Sequence, residues 1–402
     1  MLIVSLILIS SIGLLGMTWL FPVGCLLSGF SVSKRNTFIK DNSKSDLSRR
    51  PSLKSIAILI PAHNEAAVLS RTLESILAAV AEAKNKLNAN CRICIGADGC
   101  SDDTALVARS CGVEVLESKV RCGKWQTLCE LANHCKESDW LILADSGVYW
   151  SEDFLCKLLP YCEQRNVIGI APTYVNPDGG TFEKVLWWIE RQLKSLEALS
   201  GGPVSVHGAT VCYRGVEFIS TLTKLPSSNW LNDDVVLPLS MRGNFPDSKI
   251  LYLPELEVRE ISRPPVSQVN FKRRRRMVLG NIEWIKQLWV PLCKQNPVAA
   301  LLATRRIFRL LWAYWLILSA ATVTSLVSLY AAPYVAVAAL LMLSAVMLLL
   351  LASKPGRYLS QSAFVSLLAP YYFISGIIKS ARSGVSSRSG NSSQSGSAIQ
   401  WS

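Results

Sequence analysis

Asp233 and Asp234 stand side by side after Trp230-Leu231-Asn232. Neighbouring carboxylates push one of the pair toward neutral pH, which suits a general base. Asp145, followed by Ser146-Gly147, ends an apolar run. A carboxylate there is a hard oxygen ligand for Mg²⁺ or Mn²⁺ that also holds substrate phosphates. Asp98-Gly99-Cys100-Ser101-Asp102 closes another apolar run. Asp98 can accept from a base or ribose there, and Gly99 permits close backbone approach. Pro61-Ala62-His63-Asn64-Glu65 closes the first run with polar groups where a base or ribose could sit. The basic run at 272–276 offers planar guanidinium forks, which pair bidentately with diphosphate oxygens. The plain alternative for each aspartate is a turn or cap, and for the basic run a membrane-surface patch.

The elements that must position these groups alternate. Residues 56–60 are apolar and β-branched, as a buried parallel strand requires. Asn64 is placed to cap the next helix, whose Val68, Leu69, Leu73, Ile76, Leu77 and Val80 form one apolar stripe. The pattern then predicts strands at 92–97, 113–116, 140–145 and 167–173, with helices at 102–111, 123–135 and 152–163. Such alternation calls for an α/β domain with a mostly parallel sheet covered on both faces. Ligands bind such sheets at the carboxyl ends of the strands. That is where the unusual polar residues fall.

Half of the residues are hydrophobic and mean hydropathy is +0.29, so membrane segments are expected. Residues 1–30 read as a retained N-terminal anchor, long enough for a bilayer core that needs roughly 20 apolar residues. Further uncharged runs occupy 310–330 and 331–352, and a weaker one, broken by Pro370, lies at 361–378. The net charge of +13 gathers beside these runs: Lys34 to Lys54 after the first, Arg305, Arg306 and Arg309 before the second, Lys354 and Arg357 after the third. The positive-inside rule then puts the central region in the cytosol and the N-terminus outside. The chain divides into an anchor (1–30), a basic linker (31–54), a cytosolic domain (55–297), a membrane region with two or three spans (298–380) and a Ser/Gly-rich tail (381–402) expected to be disordered. An integral protein of the cell (inner) membrane, touching membrane lipids, is implied. No basic cluster sits on a nucleic-acid reading motif, so no nucleic-acid partner is expected. The 12 cysteines suit small buried hydrophobes, because a cytosolic domain keeps its thiols reduced.

Residues 55–287 resemble the inverting glycosyltransferases of GT-A fold that include cellulose, chitin and hyaluronan synthases and ceramide glucosyltransferase. Ile60 to Glu65 match the opening iPayNE segment; Asp98, Gly99, Ser101, Asp102 and Thr104 match DDGSxDxT, and Gly123-Lys124 its downstream GK. Asp145 matches the last aspartate of the DxD metal motif, and Val206 to Arg214 the acceptor-side glycine segment, with Gly208 as its glycine. Asp233-Asp234 stand where the family has ED, and Arg273 to Arg276 where it has QxxRW. Ala97, Leu143, Arg273 and Met277 depart from those motifs. Met277 replaces an aromatic of processive synthases and counts against chain elongation.

The resemblance implies a nucleoside-diphosphate sugar donor, UDP-linked by preference, and a lipid or lipid-linked glycan acceptor. Pro61, Asn64, Glu65, Asp98, Lys124, Gly208 and Arg273 would bind substrates, Asp145 the metal, and Asp234, Asp233 and Arg276 would carry the chemistry. The missing motif residues leave an alternative, a catalytically silent nucleotide-sugar-binding subunit of a polysaccharide assembly.

Overall fold

The computed structural model describes residues 55–176, 181–226, 229–261, 269–330 and 363–375, with Ser5, Ile7, Ile9, Ser10 and Gly13 near the start. The predicted alternation is present. Strands β1 (Ser55–Ala62), β2 (Asn90–Asp98), β3 (Glu114–Ser118) and β4 (Trp140–Ala144) are interleaved with α1 (Ala66–Leu87), α2 (Thr104–Ser110) and α3 (Lys124–His134). They form parallel pairs in the order β3-β2-β1-β4. Side chains alternate across the strands. Ala57, Leu59, Leu141 and Leu143 pack on one face with Leu128 and Leu131 of α3. Ile56, Ile58, Ile60, Trp140 and Ile142 pack on the other with Leu69, Leu73 and Ile76 of α1. Burial on both faces is why these strands read as unbroken apolar runs.

The rest of the sheet is mixed. β5 (Val148–Tyr149), α4 (Phe154–Leu158), a 3₁₀ turn (Leu159–Glu163) and β6 (Val167–Val175) precede α5 (Thr181–Ala198), β7 (Thr210–Arg214), α6 (Gly215–Lys224), α7 (Asp233–Asn244) and β8 (Lys249–Glu260). The eight strands run β3-β2-β1-β4-β7-β6-β8-β5. β7 is antiparallel to both β4 and β6, β6 is parallel to β8, and β8 is antiparallel to β5. The mostly parallel expectation therefore holds, in a sheet made mixed by antiparallel pairing at β7 and β5. All described cysteines are free.

Three helices follow: α8 (Val269–Gln295), α9 (Pro297–Leu310) and α10 (Trp312–Tyr330). Asn296 caps α9 by accepting from the Ala299 N–H at 2.9 Å. Among the described residues no single helix is long and apolar enough to cross a membrane. The pair Pro297–Leu310 and Trp312–Leu326, bent by 67°, meets that condition jointly, and Ala363–Ser375 (α11) is a shorter apolar helix. The expected span at 331–352, the tail and nearly all of 1–30 lie outside the described residues.

The sequence puts Arg305, Arg306 and Arg309 among membrane-flanking surface charges. Arg305 and Arg306 are instead 2% and 7% exposed. Arg305 pairs with Glu190 at 3.4 Å and Glu197 at 3.1 Å, both on α5, and Arg309 pairs with Glu190 at 3.0 Å. Carboxylates more than a hundred residues earlier hold Arg305 in the interior, whereas Arg309 stays exposed as the sequence implied.

Candidate active site

A cleft opens at the carboxyl ends of β1 and β4, lined by Pro61, Lys124, Leu143, Asp145, Gly208, Tyr213, Asp233 and Asp234 among others. Lys124, the first residue of α3, sits at its centre. Its Nζ lies 2.9 Å from Asp145 Oδ1 and 3.1 Å from Asp233 Oδ2. Burial opposes the ammonium, but the two carboxylates outweigh it and hold the Lys124 pKa above its usual value. Asp234, beside Asp233 in the first turn of α7, has its pKa raised by burial and by Asp233, against Arg306, Lys194 and Lys124. A carboxylate so placed binds a proton more readily than an ordinary aspartate, as a base working near neutral pH should.

The loops that hold this centre are built by side chains on backbone groups. Asp98 is 3% exposed, and its two oxygens accept from the N–H groups of Cys122 (2.5 Å) and Gly123 (2.8 Å). It thus fixes the loop that delivers Lys124. This positioning role is one that the sequence reading, which had Asp98 meet the nucleoside, did not include. Asn64 does not cap α1. It lies in the left-handed region, and its Oδ1 accepts from the Ser101 N–H at 2.8 Å. Asp102 does the capping from across the sheet edge, accepting from the Ala66 N–H at 3.1 Å. The Glu65 N–H donates to Thr104 Oγ1 at 2.8 Å, so Asn64 and Glu65 join the two strand-end loops.

Gly99 has φ +57°, and a Cβ there would come within 2.5 Å of the Arg121 nitrogen. Gly99→Ala should therefore destabilise the domain by about 1–3 kcal/mol. A thermal melt checks this, and an unchanged midpoint would show that the loop can rearrange.

On the other wall, Asn232 before α7 meets α8. Its Nδ2 donates to the Met277 carbonyl at 3.0 Å, and a Cβ at Gly280 would stand 2.5 Å from its side chain. This contact seats α8 so that Arg276 is half-buried and feels Asp233, Asp234 and Asp145, while Arg273 is exposed. Arg214 leaves the site. It lies over the Trp140 ring and donates to the Gln164 carbonyl at 2.8 Å.

The arrangement fits a hard cation of one kind only. Among the described residues no three His, Cys, Asp or Glu side chains converge as a metal cage. Leu143 stands two residues before Asp145, so this strand end offers a single carboxylate, which already receives a positive group from Lys124. That donor set suits Mg²⁺ or Mn²⁺ arriving with a diphosphate and completed by phosphate oxygens and water.

Sequence reasoning missed Tyr213 and Lys194. Tyr213 is fully buried in the cleft wall, and its hydroxyl has no hydrogen-bond partner among the described residues. Its place one residue before Arg214, in the glycine segment, was the available signal. Lys194 reads locally as an ordinary i,i+4 partner of Glu190, and the Ser205 oxygens that it bonds lie beyond its helix.

A family profile described as "Glycosyltransferase like family 2" matches residues 51–280, more than half of the chain. The chain belongs to glycosyltransferase family 2. It is therefore a nucleotide-sugar-dependent family 2 enzyme with a GT-A-like domain. Among solved structures it is similar to mannosyltransferase PcManGT of Pyrobaculum calidifontis, solved with GDP-Man and Mn²⁺. That match has 15% identity and a TM-score of 0.60, and covers 88% of this chain and 98% of the other. A weaker likeness is to glucosyl-3-phosphoglycerate synthase of Mycobacterium tuberculosis, solved with Mn²⁺, UDP-glucose and phosphoglyceric acid. It has 17% identity and a TM-score of 0.41, covering 56% and 78% of the two chains. No curated protein matches the sequence. At 15% identity the mannosyltransferase structure shows a shared fold alone. The roles of its residues rest on its own geometry.

Proposed function

We propose that this enzyme transfers the sugar of a nucleoside-diphosphate sugar, with inversion, to a lipid or lipid-linked glycan at the cytosolic face of a membrane. The observation that carries this reading is the bridge from Lys124 to Asp145 and Asp233, with Asp234 beside it and Arg276 opposite. Lys124 and Arg276 supply positive charge where a diphosphate leaves, and Asp234 supplies the acceptor for a proton. A divalent cation held by Asp145 would neutralise diphosphate charge. Asp234 removes the proton of the acceptor hydroxyl as its oxygen bonds to the anomeric carbon and the bond to the diphosphate breaks. One displacement by one base inverts the configuration at that carbon.

Contacts among apolar segments support the membrane setting. Ser10 Oγ and Thr322 Oγ1 of α10 are 3.4 Å apart. Tyr314 of α10 donates to the Leu367 carbonyl of α11 at 2.6 Å. Leu316, Ile317 and Val323 of α10 remain at least half exposed, which suits contact with lipid tails.

UDP-glucose and GDP-mannose are the donors to try first. Binding to the folded state alone raises the melting temperature, since stability grows as RT ln(1 + [L]/Kd). The bound donor, radiolabelled in the sugar, should then pass label to an organic-extractable product in membranes that contain the protein. Binding without transfer across a range of lipid acceptors would favour a silent subunit instead.

A further inference from the structure

We propose that Arg306 of α9 is a positioning residue for the base, holding through Ser205 the segment whose Val206 bonds to the Asp234 backbone and adding positive charge to the surroundings of the Asp234 carboxylate. The inference rests on the reading of Asp234 as the base. It starts from an imbalance. Arg305, the preceding residue, has two carboxylates, but Arg306 has none within ion-pair distance among the described residues. Arg306 is 7% exposed; its Nη1 donates to Ser205 Oγ at 2.8 Å, and its Nε has no partner among the described residues. A buried cation with no anion of its own is costly to keep.

Ser205 lies in a segment held by buried side chains. Lys194 donates to its carbonyl (2.5 Å) and hydroxyl (2.9 Å), and Glu197 accepts from the Val204 N–H at 3.0 Å. The next residue, Val206, donates its N–H to the Asp234 carbonyl at 2.9 Å. Arg306 is thus linked to the backbone of the base through two residues.

The charges around Asp234 come from six elements. Asp233 of α7 opposes its ionisation, and Tyr213 of β7 is neutral. Lys124 of α3 is shared between Asp145 and Asp233, and Arg276 of α8 feels all three aspartates. Burial pulls Lys194 of α5 down to about 8, against Glu190 and Glu197, so its charge falls away in mildly basic solution. Burial also lowers Arg306 of α9, but only to about 10, so its guanidinium stays charged where Lys194 has lost its proton.

The test is an isotope-edited infrared titration of the Asp234 carboxylate in the full-length protein, assigned by loss of its band in Asp234→Asn. Arg306→Gln should raise the midpoint by about one pH unit. Arg306→Lys should restore it. Glu190→Gln removes the anion that competes for Arg306 and should lower it. An unmoved midpoint in Arg306→Gln, or an equal rise in Arg306→Lys, would overturn the proposal. If Arg306→Gln does not fold, a midpoint in Glu190→Gln that stays or rises overturns it. The titration needs no turnover. Transfer that survives in Asp234→Asn would contradict the base assignment and leave the titration standing.

Discussion

Asp234→Asn should bind sugar nucleotide almost as the parent does and lose transfer by about 10²–10⁴-fold, the range expected of a positioned base. The amide keeps the shape of the carboxylate, and the Val206 N–H bonds to the main-chain carbonyl of residue 234, which the substitution leaves intact. What is lost is the ability to take a proton. In the parent, the raised Asp234 pKa places the acid limb of the pH–rate profile above the ordinary carboxylate range, because the base must be ionised to act. The rate should climb as pH rises through that value, and this limb should vanish in the variant. Asp233 is engaged by Lys124 at 3.1 Å and is poorly placed to substitute. Retention of more than about a tenth of the parent rate, against the loss of roughly 10²-fold expected at the least, would move the base to Asp233.

Asp145→Ala should cost about 10²-fold or more in transfer and abolish any response to Mg²⁺ or Mn²⁺, since stabilising leaving-group charge is worth several kcal/mol. Leu143 offers no oxygen in its stead. The change also removes one of the two anions that hold Lys124 across the cleft. Dependence on the metal separates the two effects: parent activity should fall in EDTA and return with Mn²⁺. Full parent activity in EDTA would assign the leaving group to Lys124 and Arg276 alone.

The parts of this site that were legible in the sequence are those where local pattern and function coincide. Runs such as 56–60 and 140–144 are apolar because both faces of β1 and β4 are covered, so the polar residue ending each run stands out. Asp145 was visible for that reason and Asp233-Asp234 as a carboxylate pair, and the structure gathers them in one cleft. Roles set by distant partners were hidden. Asp98 looks the same in sequence whether it meets a ribose or the Cys122 and Gly123 amides. Asn64 obeys the local capping rule, yet Asp102 supplies the acceptor from a neighbouring loop. Arg305 and Arg306 resemble any basic pair before an apolar run until α5 brings Glu190 and Glu197 against Arg305, and Ser205 takes the bond from Arg306. The turn to antiparallel pairing at β7 is likewise a long-range choice, since a short buried strand carries no mark of its direction.

The central claim is a single displacement assisted by one carboxylate, and the anomeric configuration of the product tests it most directly. The labelled glycolipid made by the parent protein from a donor of known configuration can be read by proton NMR of its anomeric signal. Inversion relative to the donor, with no product from Asp234→Asn, is the predicted result. Retention of the donor configuration would contradict the account, because it requires a second displacement or a front-face route in which Asp234 is not the base.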